Sequence, residues 1–357
     1  MPVSRYFVAA GLVTIIGLAL GTWVGFAYEG TVEGALSALF ICTFLAVLEI
    51  SLSFDNAIVN ARILETMEPK WQRRFLTWGI VIAVFGMRIV FPLAIVAIAA
   101  KLDPFEAIAL AVDKPAAYSA AIAGAHTSIA AFGGTFLMMV AFRFFFDRDK
   151  DVHWIGALER WLSRFSKLQS IEIVFVLLIV LAFSSGLADG EWMDFVTSAI
   201  WGLIVFLIVE GLGRLVDSSQ GSAEMVGKAG LGAFLYLEML DASFSFDGVV
   251  GAFALSSNLF VIAIGLGIGA FYVRSMTIML VEKQTLADYR YLEHGAFYAI
   301  FVLSIIMFTQ VHLHVPEMVT GAIGALLILL SFCSSVMFNR KIRQKAEPAQ
   351  GVTGRSR

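Results

Sequence analysis

Cysteine is nearly absent. Cys42 and Cys333 are the only two in 357 residues, and both lie in apolar runs. They read as small packing residues, which excludes a disulfide framework and a thiolate metal site. Charge is scarce as well, at 15 % of residues against about 25 % in soluble domains. The net charge of −3 is too near neutral to point to an electrostatic partner. There is no nucleic-acid-binding signature and no glycine-rich loop of the kind that cradles ATP phosphates. What remains is apolar: 59 % of residues, with a mean hydropathy of +0.85. This is the composition of an integral membrane protein. Its long apolar runs favour helices over a barrel, whose strands would need about ten residues of alternating polarity.

Ten stretches have the length of a membrane span: 6–27, 34–58, 77–100, 118–142, 171–188, 194–213, 231–254, 258–280, 293–311 and 318–338. The first exceeds a signal peptide in apolar length and is followed by no small-residue cleavage site, so it reads as a retained anchor. With the N-terminus in the cytoplasm, 21 of the 25 Lys and Arg fall in cytoplasmic segments. Only Lys101 and Lys114 fall outside, and Arg88 and Arg274 lie within spans. That asymmetry supports both the span count and cytoplasmic termini in an inner (plasma) membrane. The stretch 143–170, with Trp154 and Trp161 among basic residues, reads as a helix at the headgroups.

Two copies of one polar motif interrupt the apolar runs. The first is Glu49-Ile50-Ser51-Leu52-Ser53-Phe54-Asp55-Asn56 in span two. The second is Asp241-Ala242-Ser243-Phe244-Ser245-Phe246-Asp247-Gly248 in span seven. Carboxylates inside a membrane cost roughly 2.5–3.5 kcal/mol each on insertion scales, so a repeated pair is not filler. Five spans apart means opposite orientations, the mark of an inverted repeat. The correspondence extends to a nine-residue spacing from Gly79 to Arg88 and from Gly265 to Arg274, and to His126 and His294 in spans four and nine.

The expected architecture is therefore an all-α polytopic membrane protein of about ten transmembrane helices with an inverted 3+3 helix repeat as its core. An N-terminal anchor (1–33) precedes the first core repeat (34–146). A basic loop with spans five and six (147–230) leads to the second repeat (231–311), then span ten (312–340) and a disordered cytoplasmic tail (341–357).

On a continuous helix Glu49, Ser53 and Asn56 share a face and Asp55 is turned about 120° away. Serines and the neighbouring Asn56 or Gly248 loosen backbone hydrogen bonding. A break near Ser51–Ser53 and Ser243–Ser245 would let the acids converge. Glu49, Asp55, Asp241 and Asp247 against Arg88 and Arg274 leave two negative charges, which a divalent ion would neutralise. Glu238, three residues before Asp241, adds another and suggests that one acid stays protonated. All candidate ligands are oxygens, which suits Mn²⁺, Mg²⁺ or Ca²⁺. Arg88 and Arg274 also fit as purely structural partners of the acids, and His126 and His294 as hydrogen-bonded packing residues.

The intramembrane Glu followed by Ser-Phe-Asp-Asn, with its second copy, resembles the TerC family in the LysE-like transporter superfamily, and most closely an uncharacterised branch of it. The resemblance covers the six core spans. It implies manganese export or a part in tellurium resistance, with Glu49, Asp55, Asn56, Asp241 and Asp247 as metal-site candidates. The residue pattern itself adds Ser53, Ser245, Glu238, Arg88, Arg274, His126 and His294 in support. Asp241 and Gly248 depart from the Glu and Asn of the first copy. The expected function is secondary export of a divalent cation, Mn²⁺ favoured, with no cofactor and no enzymatic activity. Its partners are the transported ion and the bilayer. Two alternatives stand beside it: a non-transporting membrane scaffold in metal or tellurite stress, and an intramembrane aspartyl protease. The protease is disfavoured because neither Asp sits in a Gly-x-Gly-Asp context.

Overall fold

The computed structural model describes residues 3–99, 102–147, 150, 152–165, 168, 170–217, 223–313 and 315–350. Every regular element among them is helical. After a 3₁₀ turn come α1 (Val8–Glu29), α2 (Val32–Leu52), α3 (Phe54–Thr66) and α4 (Pro69–Val81). A π-helical segment (Ile82–Val90) joins α4 to α5 (Phe91–Ala99). The chain continues through α6 (Pro104–Asp113), α7 (Pro115–Gly124), α8 (His126–Phe145), α9 (Gly156–Ser163), α10 (Ile171–Ser184) and α11 (Asp189–Asp217). It closes with α12 (Ala223–Leu255), α13 (Leu259–Glu282), α14 (Thr285–Asp288), α15 (Leu292–Thr309) and α16 (Glu317–Gln350).

Local chemistry explains the boundaries. Gly30 ends α1 with a φ of 68°, a left-handed conformation that costs a glycine little. Thr31 then caps α2 by accepting the Gly34 N–H. Pro69 sits at the start of α4, where its missing N–H is not needed. Asp103 and Glu106 form a reciprocal capping box on α6. Asn258 caps α13 by accepting the N–H groups of Phe260 and Val261.

Among the described residues, eight helices are long and apolar enough to cross a membrane: Val3–Glu29, Val32–Leu52, Pro69–Ala97, His126–Phe145, Asp189–Gly211, Leu259–Glu282, Leu292–Thr309 and Met318–Ile342. The chain is a multi-pass membrane protein. Two of the ten expected spans differ in kind. The stretch 171–188 is α10, an apolar helix of 14 residues. The stretch 231–254 lies inside α12, whose 33 residues are long enough but carry Glu238, Asp241 and Asp247 mid-helix. The expected span 118–142 is also broken, with α7 ending and α8 starting around Ala125. At the C-terminal end, α16 continues past Arg340 to Gln350, through residues expected to be disordered.

The spans sort by depth. Those of α8, α13 and α15 are 72 %, 67 % and 67 % buried, against 11 % for α1 and 17 % for both Pro69–Ala97 and Met318–Ile342. A dense aromatic seam joins α8 to α15, with Phe144 stacked on Phe297 at 3.9 Å and Phe145 against Tyr298 at 4.7 Å. Lipid is as apolar as these rings, so close packing, and not exclusion from solvent, holds the helices together. On the other side α13 packs against α1, α2, α3 and the π-helical segment. A Cβ on Gly269 would overlap the Cβ of Glu49, so glycine there sets how closely α13 approaches α2.

The 147–165 connection carries the short α9. Trp161 faces outward, while the Trp154 indole N–H reaches Ser334 Oγ on α16 at 3.1 Å. Glu159, 1 % exposed, anchors the segment. Its carboxylate forms an ion pair with Lys150 Nζ at 2.7 Å and accepts from His153 Nδ1 at 3.2 Å, the Tyr298 hydroxyl at 3.2 Å and the backbone N–H groups of Trp154 and Ile155.

Candidate functional site

The first motif breaks its helix and the second does not. α2 ends at Leu52, Ser53 stands between helices with φ −99° and ψ 18°, and α3 begins at Phe54. α12 runs without interruption from Ala223 to Leu255 through Ser243 and Ser245. The break expected near Ser51–Ser53 is present, and the one expected near Ser243–Ser245 is absent. Both serines of the second motif therefore sit on a regular helix. Ser243 Oγ donates back to the Met239 carbonyl at 2.9 Å, a bond a helix accommodates without opening.

Glu49, Asn56, Asn60, Arg88, Asp241 and Ser245 line one small cavity of about 30 Å³, with Arg274 beside them. It lies between α2, α3, the π-helical segment, α12 and α13. Arg88 is only 3 % exposed, and its Nη2 meets Glu49 Oε1 at 2.5 Å. Its Nη1 donates to the Ala83 carbonyl five residues earlier. A π-helix shifts the backbone pattern to i→i+5, and here that register carries the guanidinium to the carboxylate. Ser53 Oγ adds a second donor to Glu49 Oε1 at 3.2 Å.

Asp241 is held from the opposite motif helix. Asn60 Nδ2 donates to its Oδ1 at 2.6 Å, and Asn56 lines the same cavity. Arg274 is the cationic neighbour of Asp241 and Glu238, and its guanidinium lies 4.0 Å above the Phe75 ring. Gly79 leaves room for this cluster: a Cβ there would sit 2.5 Å from Arg274 Nη2 and 2.8 Å from Glu238 Oε1. Each arginine thus faces an acid of its own half of the chain.

Three buried acids, Glu49, Glu238 and Asp241, stand against two guanidinium groups. One negative charge is left uncompensated among the described side chains. Several polar atoms also lack any partner: Asn56 Oδ1, Asn60 Oδ1, Ser245 Oγ and both carboxylate oxygens of Glu238. Native interiors rarely leave such groups unpaired.

Asp55 does not join this cavity. It is buried, accepts the Asn56 N–H at 2.9 Å in the first turn of α3, and lines a second cavity with Glu49. The ligand set expected to converge on one point is thus divided over two cavities, because adjacent residues of α3 are turned about 100° apart and Asp55 and Asn56 face different cavities. Asp247 falls in α12, and its side chain lies outside the described residues. His126 opens α8 and lines neither polar cavity. His294 is remote from both. Its Nε2 donates to the Val152 carbonyl at 2.8 Å and lies 3.6 Å from Glu159, the packing role weighed for it from the sequence. Among the described residues no three His, Cys, Asp or Glu side chains converge tightly enough to hold a metal ion. Asparagines and a serine complete the oxygen set.

Asn60 had not been singled out in the sequence. Its signal was available: it follows Asn56 by four residues, one turn along the helix, with the apolar Ala57-Ile58-Val59 between them. The Lys150–Glu159 anchor had no comparable signal, since its parts are scattered through a charged loop.

No curated protein and no solved structure matches this chain. The profile of one family does match, over residues 54–342, which takes in every site residue above except Glu49 and Ser53. The chain belongs to that family, described as protein of unknown function (DUF475).

Proposed function

We propose that this protein is a secondary transporter that exports a divalent metal cation, Mn²⁺ favoured, through the cavity between the two motif helices. One observation carries the reading. Asn56 Oδ1, Asn60 Oδ1 and Ser245 Oγ are buried without partners on the same cavity as the Glu49 and Asp241 carboxylates. That is an all-oxygen donor set with spare lone pairs, and Glu238 beside Arg274 adds a third acid against the two arginines, the chemistry that suits a hard divalent ion. Glu49 and Asp241 are the charged ligands, Asn56, Asn60 and Ser245 the neutral ones. Arg88 and Arg274 stabilise the acids when no ion is present, and a bound cation displaces Arg88 from Glu49.

In this reading the two halves form an inverted 3+3 repeat across about ten crossings, with both termini cytoplasmic in the inner (plasma) membrane. The nine-residue Gly-to-Arg spacing in each half supports it, as does the pairing of each arginine with its own half's acid. The TerC resemblance points to the same export role.

Proteoliposomes of purified protein, given Mn²⁺, Mg²⁺, Ca²⁺ and Zn²⁺ in parallel, test the reading. Uptake of Mn²⁺ that is lost in Asp241→Asn and reduced in Asn56→Leu supports it. Transport by Asp241→Asn at the wild-type rate removes the site, and tolerance of neutralised Glu49 and Asp241 in cells favours a scaffold.

A further inference from the structure

Glu49 borders two cavities. The second, of about 40 Å³, lies on its other side, away from Asp241. Asp55, Ser53, Leu52 and Thr320 line it, together with Phe244 and Gly248 of α12 and Ala299 and Leu303 of α15. The sequence treats α16 as a peripheral span, yet Thr320, Gly321 and Gly324 of α16 form one wall. Thr320 is 8 % exposed, and its Oγ1 has no hydrogen-bond partner. Asp55 is 6 % exposed, and its side chain accepts the Asn56 N–H of its own helix. The α2 helix ends here at Leu52, which directs the negative end of its dipole toward the cavity, while α3 begins beside it. Half-helix ends of this kind coordinate Na⁺ or protons in transporters.

The charge count differs from that of the first cavity. No other described lining side chain from α12, α15 or α16 is titratable. The remaining charged neighbour is Glu49, which Arg88 already neutralises on its far side. One uncompensated carboxylate, Asp55, is left in a water-sized, oxygen-lined space. That matches a single positive charge.

We propose that the second cavity is a monovalent metal-cation site, for Na⁺, built from Asp55, Thr320 and Ser53. Glu49 is the shared wall through which its occupancy is felt at the first cavity. The inference rests on the transport reading for its role as the coupling-ion site, but the binding itself is independent of that reading.

The test uses the purified full chain in detergent without divalent ions. ²²Na⁺ binding is measured at fixed pH. Wild type is compared with Asp55→Asn, Thr320→Val and Thr320→Ser, each checked for a monodisperse, unchanged thermal transition. Na⁺ binding that vanishes in D55N, weakens about tenfold in T320V, as loss of one oxygen ligand predicts, and returns in T320S supports the proposal. Wild-type binding in both D55N and T320V overturns it, as does a wild-type chain that binds no Na⁺. Mn²⁺ binding to the same preparation is measured separately. Its absence with the monovalent site intact overturns the divalent reading alone.

Discussion

Asn60 on α3 donates to Asp241 on α12 at 2.6 Å, across 181 positions of sequence. Both groups are buried, at 3 % and 8 % exposure. This bond ties the two motif-bearing helices together at the cavity. It also orients the second Asn60 atom, the unpartnered Oδ1, within that cavity.

Removing the donor leaves the Asp241 carboxylate with less than its buried environment requires. Asn60→Ala is expected to destabilise the protein by about 1.5–3 kcal/mol, the range for hydrogen bonds to charged groups. Thermal unfolding in detergent reads this. A melting temperature equal to wild type would mean that Arg274 alone holds Asp241.

The Glu49–Arg88 pair is expected to show strong coupling. Breaking a buried pair by deleting one partner costs about 3–5 kcal/mol, because the other charge is stranded. Arg88→Met should therefore unfold readily, and the double variant Glu49→Gln/Arg88→Met should recover much of the loss. Additive destabilisation in a double-mutant cycle would show that the two side chains act independently.

Gly269 is expected to tolerate no side chain. Gly269→Ala places a methyl group onto Glu49 and within 3.0 Å of the Ala46 carbonyl. Both neighbours lie on one helix, so α2 must shift as a unit, at about 1–3 kcal/mol for an overpacked contact. Lowered thermal stability with lost metal uptake is the expected result. Full uptake in Gly269→Ala would show that α2 and α13 separate without cost.

The Glu159 anchor is expected to respond to acid. Burial pushes the Glu159 carboxyl upward, but the Lys150 ammonium beside it and the positive groups around it prevail, so its pKa lies below the ordinary 4.5. A carboxyl depressed on folding contributes stability that is complete above its unfolded pKa and is lost as pH falls through the folded one. Protection of residues 152–165 from hydrogen exchange should be constant near neutrality and fall only below the ordinary carboxylate range. Glu159→Gln should lose that protection at every pH, since Lys150 is then buried without its partner. Protection that is unchanged in E159Q would assign the anchoring to Trp154 and Ser334 instead.

Much of this was legible in the order of residues. Apolar run length sets helix spans wherever lipid is the solvent, because an unpaired backbone group has no other partner there. The acids at 49, 55, 241 and 247 announced themselves by their cost in such runs. Even the break at Ser53 was readable, since serine and asparagine compete for backbone hydrogen bonds. The same logic failed at Ser243–Ser245, where identical chemistry in α12 bends nothing. Local preference is weak, and packing of α12 against α8, α11 and α13 overrides it.

The sequence by itself determined that this is a helical membrane protein with two acid-bearing motifs and two intramembrane arginines. Those are matters of hydropathy and spacing. Only the tertiary structure decided which acid meets which partner. Helical geometry sends Asn56 and Asp55 to different sides of α3, a π-helical register brings Arg88 to Glu49, and α16 closes a second cavity over Asp55. These are contacts between segments far apart in the chain, fixed by helix packing, and no local pattern encodes them.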